Sequence, residues 1–193
     1  MLFEPTPVLF YYVTSFGALC DNSPDDTTAI QAAIQAAASS ATGSGVVQFP
    51  PGTCRISSLT LRSHIALAGA HSPGSYGANQ GAISLLRAVS GISANSILIN
   101  ATTAIDTSIT DLSIIGDSAT QTVGQVDATS TGIAYGNAPN AVFSTNYARH
   151  VLKNVSVSMN RVGIENNGAD YFQGSMVYVS SNWYIGIKAY NYG

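Results

Sequence analysis

The sequence predicts an all-β solenoid of short parallel strands, plugged at its N-terminal end by a single α-helix. Three observations predict it. Residues 13–57 hold one alanine-rich helical pattern between two strand patterns. Beyond them, strand and turn patterns return at a spacing of about 22 residues, the length of one solenoid coil. Charged residues make up only 9% of the chain while apolar residues reach 46%, so the core is ordinary and the surface is built from Gly, Ser, Thr and Asn.

The N-terminal tail, residues 1–12, carries Glu4 and two prolines but no basic n-region, and so does not resemble a signal peptide. Export would then follow removal of a leader, or use another route such as lysis. A short strand from Val13 leads into the acidic turn Ser23-Pro24-Asp25-Asp26. Either aspartate can accept hydrogen bonds from the free N–H groups of a helix start, and both favour its positive end. The pair therefore reads as a cap rather than as an acid/base dyad. The helix is predicted over about residues 27–39, with Ile30, Ala33, Ile34 and Ala37 on one face at i, i+3, i+4, i+7 spacing. Its other face offers Gln31 and Gln35 and no charge. The stretch TGSG (42–45) ends it, VVQF (46–49) is a buried strand, and PPG (50–52) turns that strand. Cys20 and Cys54 flank these elements. They form either a disulfide closing a loop of about 35 residues, worth roughly 3–4 kcal/mol, or two buried thiols; the spacing admits both and is no zinc pattern.

On FGA (16–18), DDT (25–27), AIQAAI (29–34) and FPPG (49–52), residues 13–57 resemble the capping region of the pectate-lyase superfamily of right-handed, single-stranded parallel β-helices. The resemblance implies that fold for residues 58–193. It also implies a choice among phage tailspikes, polysaccharide lyases, glycoside hydrolases and sugar epimerases, because the capping end is shared by all of them.

The coils can be read independently. LSIIGD (112–117), VSVSMN (155–160) and VYVSSN (177–182) alternate apolar and polar residues and close on Asp or Asn, and IALAGA (65–70) is an earlier relative. A Gly-Ile pair follows each of the first three: Gly132-Ile133, Gly163-Ile164 and Gly186-Ile187. Asn and Asp tolerate the left-handed backbone that a sharp bend needs. Asn160 and Asn182, with Asp117 in the same register, therefore read as a stacked ladder. Insertions are expected near 69–81, 118–131 and 136–148. The chain stops straight after a Gly-Ile strand, which predicts a solenoid truncated or open at its C-terminus, continued by further chain or covered by partner chains.

Candidate catalytic residues are thin. Asp111, Glu165 and Asp170 are the carboxylates nearest to strands, and Arg161, in the middle coils, is the base candidate that the resemblance to lyases using Arg or Lys implies. Glycoside hydrolysis would need two carboxylates facing one another. Tyr178, Trp183 and Tyr184 are candidates for stacking on sugar rings, and equally for an oligomer interface. Polygalacturonase motifs and the Asp-Pro-His triplet expected of alginate epimerases are absent. No metal site is predicted, and calcium would enter only if the chain were a lyase. A net charge of −3 with seven basic residues leaves no electrostatic footprint for nucleic acid, and no apolar run approaches a membrane span.

Together these readings point to a tailspike-like protein that binds and cleaves a surface polysaccharide, a homotrimer alone or with other virion proteins, on a virion tail or outside the cell. A secreted pectinase-like lyase or hydrolase is one alternative. A non-catalytic virion fibre or adaptor is another.

Overall fold

A computed structural model describes residues 8–70, 83–90, 92, 96–116, 131–136, 149–167, 171–182 and 185–190. The chain winds around three faces. Face 1 stacks β1 (Phe10–Tyr12), β3 (Gly45–Gln48), β6 (Ile65–Ala68), β9 (Thr107–Thr110) and the first halves of β12 (Arg149–Ser158) and β14 (Tyr171–Ser180). Face 2 stacks β2 (Asp21–Asp25), β4 (Gly52–Ile56), β7 (Ser84–Ala88), β10 (Leu112–Ile115) and the second halves of β12 and β14. Face 3 stacks β5 (Leu59–Thr60), β8 (Ile97–Ala101), β11 (Thr131–Gly136), β13 (Val162–Asn167) and β15 (Ile185–Tyr190). Every pairing is parallel. The fold is the right-handed parallel β-helix.

The core consists of columns, one residue per coil. Val47, Leu67, Ile109 and Leu152 are in register on face 1. Cys54, Leu86, Ile114 and Val157 line up on face 2, and Leu59, Ile99, Ile133 and Ile164 on face 3. All twelve are fully buried. At about 25 cal/mol per Å² of apolar surface, these columns are the main stabilising term. The Gly-Ile pairs stack as expected, Ile133 on Ile164 on Ile187. Glycine is required beside them by close approach: a Cβ on Gly163 would lie 2.5 Å from the carbonyl oxygen of Gly186 and 2.7 Å from Cγ1 of Val179.

The helix α1 (Thr27–Ala38) buries Ile30, Ala33, Ile34 and Ala37, the face its spacing indicates. Its polar face closes the free edge of face 3. Gln31 Nε2 donates to the carbonyl of Thr60 at 3.0 Å, and the Thr60 N–H donates to Gln31 Oε1 at 2.8 Å. An uncharged amide does this because it supplies one donor and one acceptor, as a neighbouring strand would.

Four details differ from the sequence reading. The strand precedes Val13, and Val13–Phe16 is a single 3-10 turn ended by Gly17 at φ 98°. Of the acidic pair, only Asp25 caps, accepting the Thr27 N–H at 2.9 Å. Asp26 turns inward and is 3% exposed, accepting from the N–H groups of Leu19 at 2.8 Å, Cys20 at 3.3 Å and Arg55 at 3.3 Å. It ties the capping segment to β4, because three converging N–H groups outcompete a helix end that Asp25 already serves. The relative of LSII is SLLRA of β7, whereas IALA of β6 stacks under β9; two strands of a coil share one alternation and cannot be told apart locally. Finally, the left-handed residues at the third corner are Met159 (φ 57°) and Ser181 (φ 52°), one position before the asparagines. Asn160 and Asn182 do stack, but through the Asn160 N–H donating to Asn182 Oδ1 at 3.0 Å, while each amide group donates to a strand carbonyl. Asp117 lies outside the described residues, as do nearly all of the expected insertions.

Candidate functional site

Face 3 carries little charge. Among its described strands, Glu165 of β13 and Lys188 of β15 are the only ionisable acidic and basic residues. Both follow a Gly-Ile pair, so they occupy the same position on adjacent rungs. Lys188 Nζ donates to Glu165 Oε1 at 3.2 Å, and both side chains are partly exposed. Below Glu165 the column continues through Ala134 and Asn100 to Thr60. Asn100 is already occupied, its Oδ1 accepting from the N–H and hydroxyl of Thr102.

The structure does not bring Asp111 to this pair. Asp111 sits at the corner between faces 1 and 2, in the left-handed conformation (φ 55°), where its Oδ1 accepts from Asn154 Nδ2 at 2.6 Å. Its role there is to make a bend. Arg161 lies in the turn between β12 and β13, where its carbonyl accepts the Ile185 N–H at 3.1 Å. Tyr178 projects from face 2 of β14, half exposed, above the buried Ser156. Asp170, Trp183 and Tyr184 lie outside the described residues. Cys20 and Cys54 are joined as a disulfide, S–S 1.96 Å, in the buried layer beside Asp26.

A second constellation, which the sequence reading missed, lies on face 1. His64 and Asp106 each immediately precede a face-1 strand, Arg149 opens the next one, and the three stack in one column. Asp106 lies between the other two: its Oδ1 accepts from Arg149 Nε at 2.9 Å, and its Oδ2 is 3.6 Å from His64 Nδ1. One residue further on, Thr107 and His150 point inward, are almost fully buried, and share a hydrogen bond of 2.8 Å between Oγ1 and Nδ1. Burial pushes the His150 pKa down to about 4, with the Asp106 carboxylate opposing that shift. Its ring is therefore neutral at neutral pH. Phe172 and Gln173 of β14 complete the lining of a cleft of about 480 Å³. The signal was present in the sequence: HIALA (64–68), DTSIT (106–110) and RHVLK (149–153) share one alternation at spacings near 42 and 43 residues, a period doubled by the insertions.

Among the described residues, one group of metal-ligand type comes together, Cys20, Asp26 and Cys54. Two of its members are spent in the disulfide, and the Asp26 oxygens accept three backbone N–H groups. That donor set does not suit a cation. No described helix is long and apolar enough to cross a membrane.

Comparison with known proteins agrees with this architecture. A stretch of 68 residues is 50% identical to the mannuronan C5-epimerase AlgE6 of Azotobacter vinelandii, covering 31% of this chain and 8% of that protein. The solved A-module of AlgE6 superposes with a TM-score of 0.57 at 26% identity, over 86% of this chain and 41% of the module. The A-module of the A. vinelandii epimerase AlgE4 superposes with a TM-score of 0.62 at 21% identity, over 93% of this chain and 53% of the module, a likeness of fold. The chain thus spans about half or less of the length of these relatives. Residues 10–188 match the model of the rhamnogalacturonase A/epimerase, pectate lyase-like family, and on that match over nearly its whole length the chain belongs to this family.

Proposed function

We propose that this protein binds and cleaves a uronate-containing surface polysaccharide, with Glu165 and Lys188 of face 3 as the proton-transferring pair. The observation that carries the reading is the 3.2 Å contact between one carboxylate and one ammonium, partly exposed on a face whose other described strand residues are uncharged. A single carboxylate beside an amine suits elimination better than hydrolysis, which needs two carboxylates across the sugar. In elimination a base removes the proton from the carbon bearing the uronate carboxyl. The neighbouring carbon–oxygen bond to the next sugar breaks, a C=C bond forms, and the departing oxygen takes a proton from the acid. The relatives named as mannuronan C5-epimerases support a uronate substrate. The low surface charge and the β-helix suit a tailspike-like depolymerase, and a homotrimer on a virion or outside the cell belongs to the same proposal.

The test is incubation with alginate, polygalacturonate and a uronate-containing capsular polysaccharide, following ultraviolet absorbance of the unsaturated uronate and release of reducing ends. Both signals are expected to rise together and to fall at least a hundredfold in Glu165→Gln. Reducing ends without absorbance would replace elimination by hydrolysis. Neither signal, with proton exchange at the uronate carbon seen by NMR, would replace cleavage by epimerisation. A native mass of three chains would support the spike architecture.

A further inference from the structure

We infer that the face-1 cleft around Asp106 and Arg149 is a carbohydrate subsite for a neutral sugar unit, separate from the Glu165–Lys188 pair on face 3. The inference does not rest on the proposed activity, because it concerns another face and is read by binding without turnover.

The cleft volume of about 480 Å³ falls in the ~300–1,000 Å³ range of small-ligand sites. Its groups are of the kind that read a pyranose. Asp106 offers a carboxylate whose acceptor capacity exceeds its one hydrogen bond from Arg149 Nε. The Arg149 side chain is 70% exposed and keeps its two terminal nitrogens as donors, because Nε makes the ion pair. A carboxylate and a guanidinium held side by side can accept from one sugar hydroxyl and donate to the next. Gln173, exposed on the rung above, adds an amide with a donor and an acceptor. Phe172 contributes ring surface, partly buried against the core, for the apolar side of the sugar.

Charge selects the class of ligand. The negative Asp106 is matched by the positive Arg149, and His150 is neutral at neutral pH. The Arg149 charge is already paired with Asp106, whose other oxygen lies 3.6 Å from His64 Nδ1, so no unpaired cation is left to favour a uronate or sulfate over a neutral sugar. The floor is preset: Thr107 and His150 are hydrogen-bonded to each other and buried beneath Asp106 and Arg149, which lowers the ordering cost of binding.

Affinity electrophoresis tests this directly. Gels would contain dextran, galactomannan or arabinoxylan as neutral probes, and alginate or polygalacturonate as anionic ones. The wild type is expected to be retarded by at least one neutral probe, with weaker binding by about tenfold in Arg149→Ala and in Gln173→Ala. Both side chains are exposed, so neither change threatens folding. Lys153→Ala, on the same strand but outside the cleft, is expected to bind as the wild type does. Absence of retardation by every neutral probe would overturn the inference. So would retardation by anionic probes alone, or equal retardation of the two cleft variants and the wild type.

Discussion

The side-chain amide of Asn154 donates to Oδ1 of Asp111 at 2.6 Å, from one coil to the coil below. Both residues are left-handed, at the corner where face 1 becomes face 2. The pair shows how this solenoid turns: residues that tolerate positive φ are stacked, and a side-chain hydrogen bond joins adjacent turns.

One coil higher, the same corner is made by Met176, also left-handed (φ 51°) and exposed. A methionine gains nothing there from a local hydrogen bond, and the conformation costs a non-glycine residue about 1–2 kcal/mol. Met176→Asn is expected to stabilise the fold by about 0.5–1 kcal/mol, seen as a higher urea midpoint with an unchanged slope. An unchanged or lower midpoint would refute it.

The two adjacent aspartates should separate cleanly. Asp25→Ala removes one exposed cap and is expected to cost about 1 kcal/mol. Asp26→Ala takes the acceptor from the N–H groups of Leu19, Cys20 and Arg55, the Cys20 bond being fully buried, and is expected to cost about 3 kcal/mol or more. Equilibrium unfolding in urea measures both, and equal losses would contradict the division of labour.

Gly163→Ala would push a methyl group into the Gly186 carbonyl and Val179. The expected loss is about 1–3 kcal/mol. Its thermal midpoint should fall well below that of Ser180→Ala, an exposed change on β14.

Stability should also fall on mild acidification through His150. Its folded pKa is depressed to about 4 from 6.5 by burial, so the unfolded chain binds the proton first. The folded state keeps its full margin above pH 6.5 and loses it as the pH falls towards 4. The loss is on the order of 3 kcal/mol at most. Urea midpoints of the wild type and His150→Gln, compared at pH 7 and 4.5, isolate this effect from the carboxylates common to both. A fall of equal size in the two proteins would exclude His150 as the cause.

The capping helix was legible because its buried face is spaced along one continuous segment. The Gly-Ile strands were legible because the coils holding Gly163 and Gly186 follow each other without a long insertion. Glu165 and Lys188 hold equivalent positions after those Gly-Ile pairs, but the sequence reading did not join them, because neither residue type announces a partner. His64, Asp106 and Arg149 were hidden: insertions stretch the spacing of their coils to 42 and 43 residues, about twice the 22-residue period, and a hydrophobic alternation says nothing about which charged residues meet.

By itself, the amino-acid sequence determined the helix, the stacking of the Gly-Ile strands and the winding of the solenoid, since each depends on periodicities written along the chain. Only the tertiary structure decided that Asp26 is a buried tie rather than a cap and that Asp111 makes a corner. It alone gathered Asp106, Arg149 and the Thr107–His150 pair into one cleft. Those outcomes depend on which rung lies above which, and that stacking is set by packing across the whole helix, beyond the reach of any local pattern.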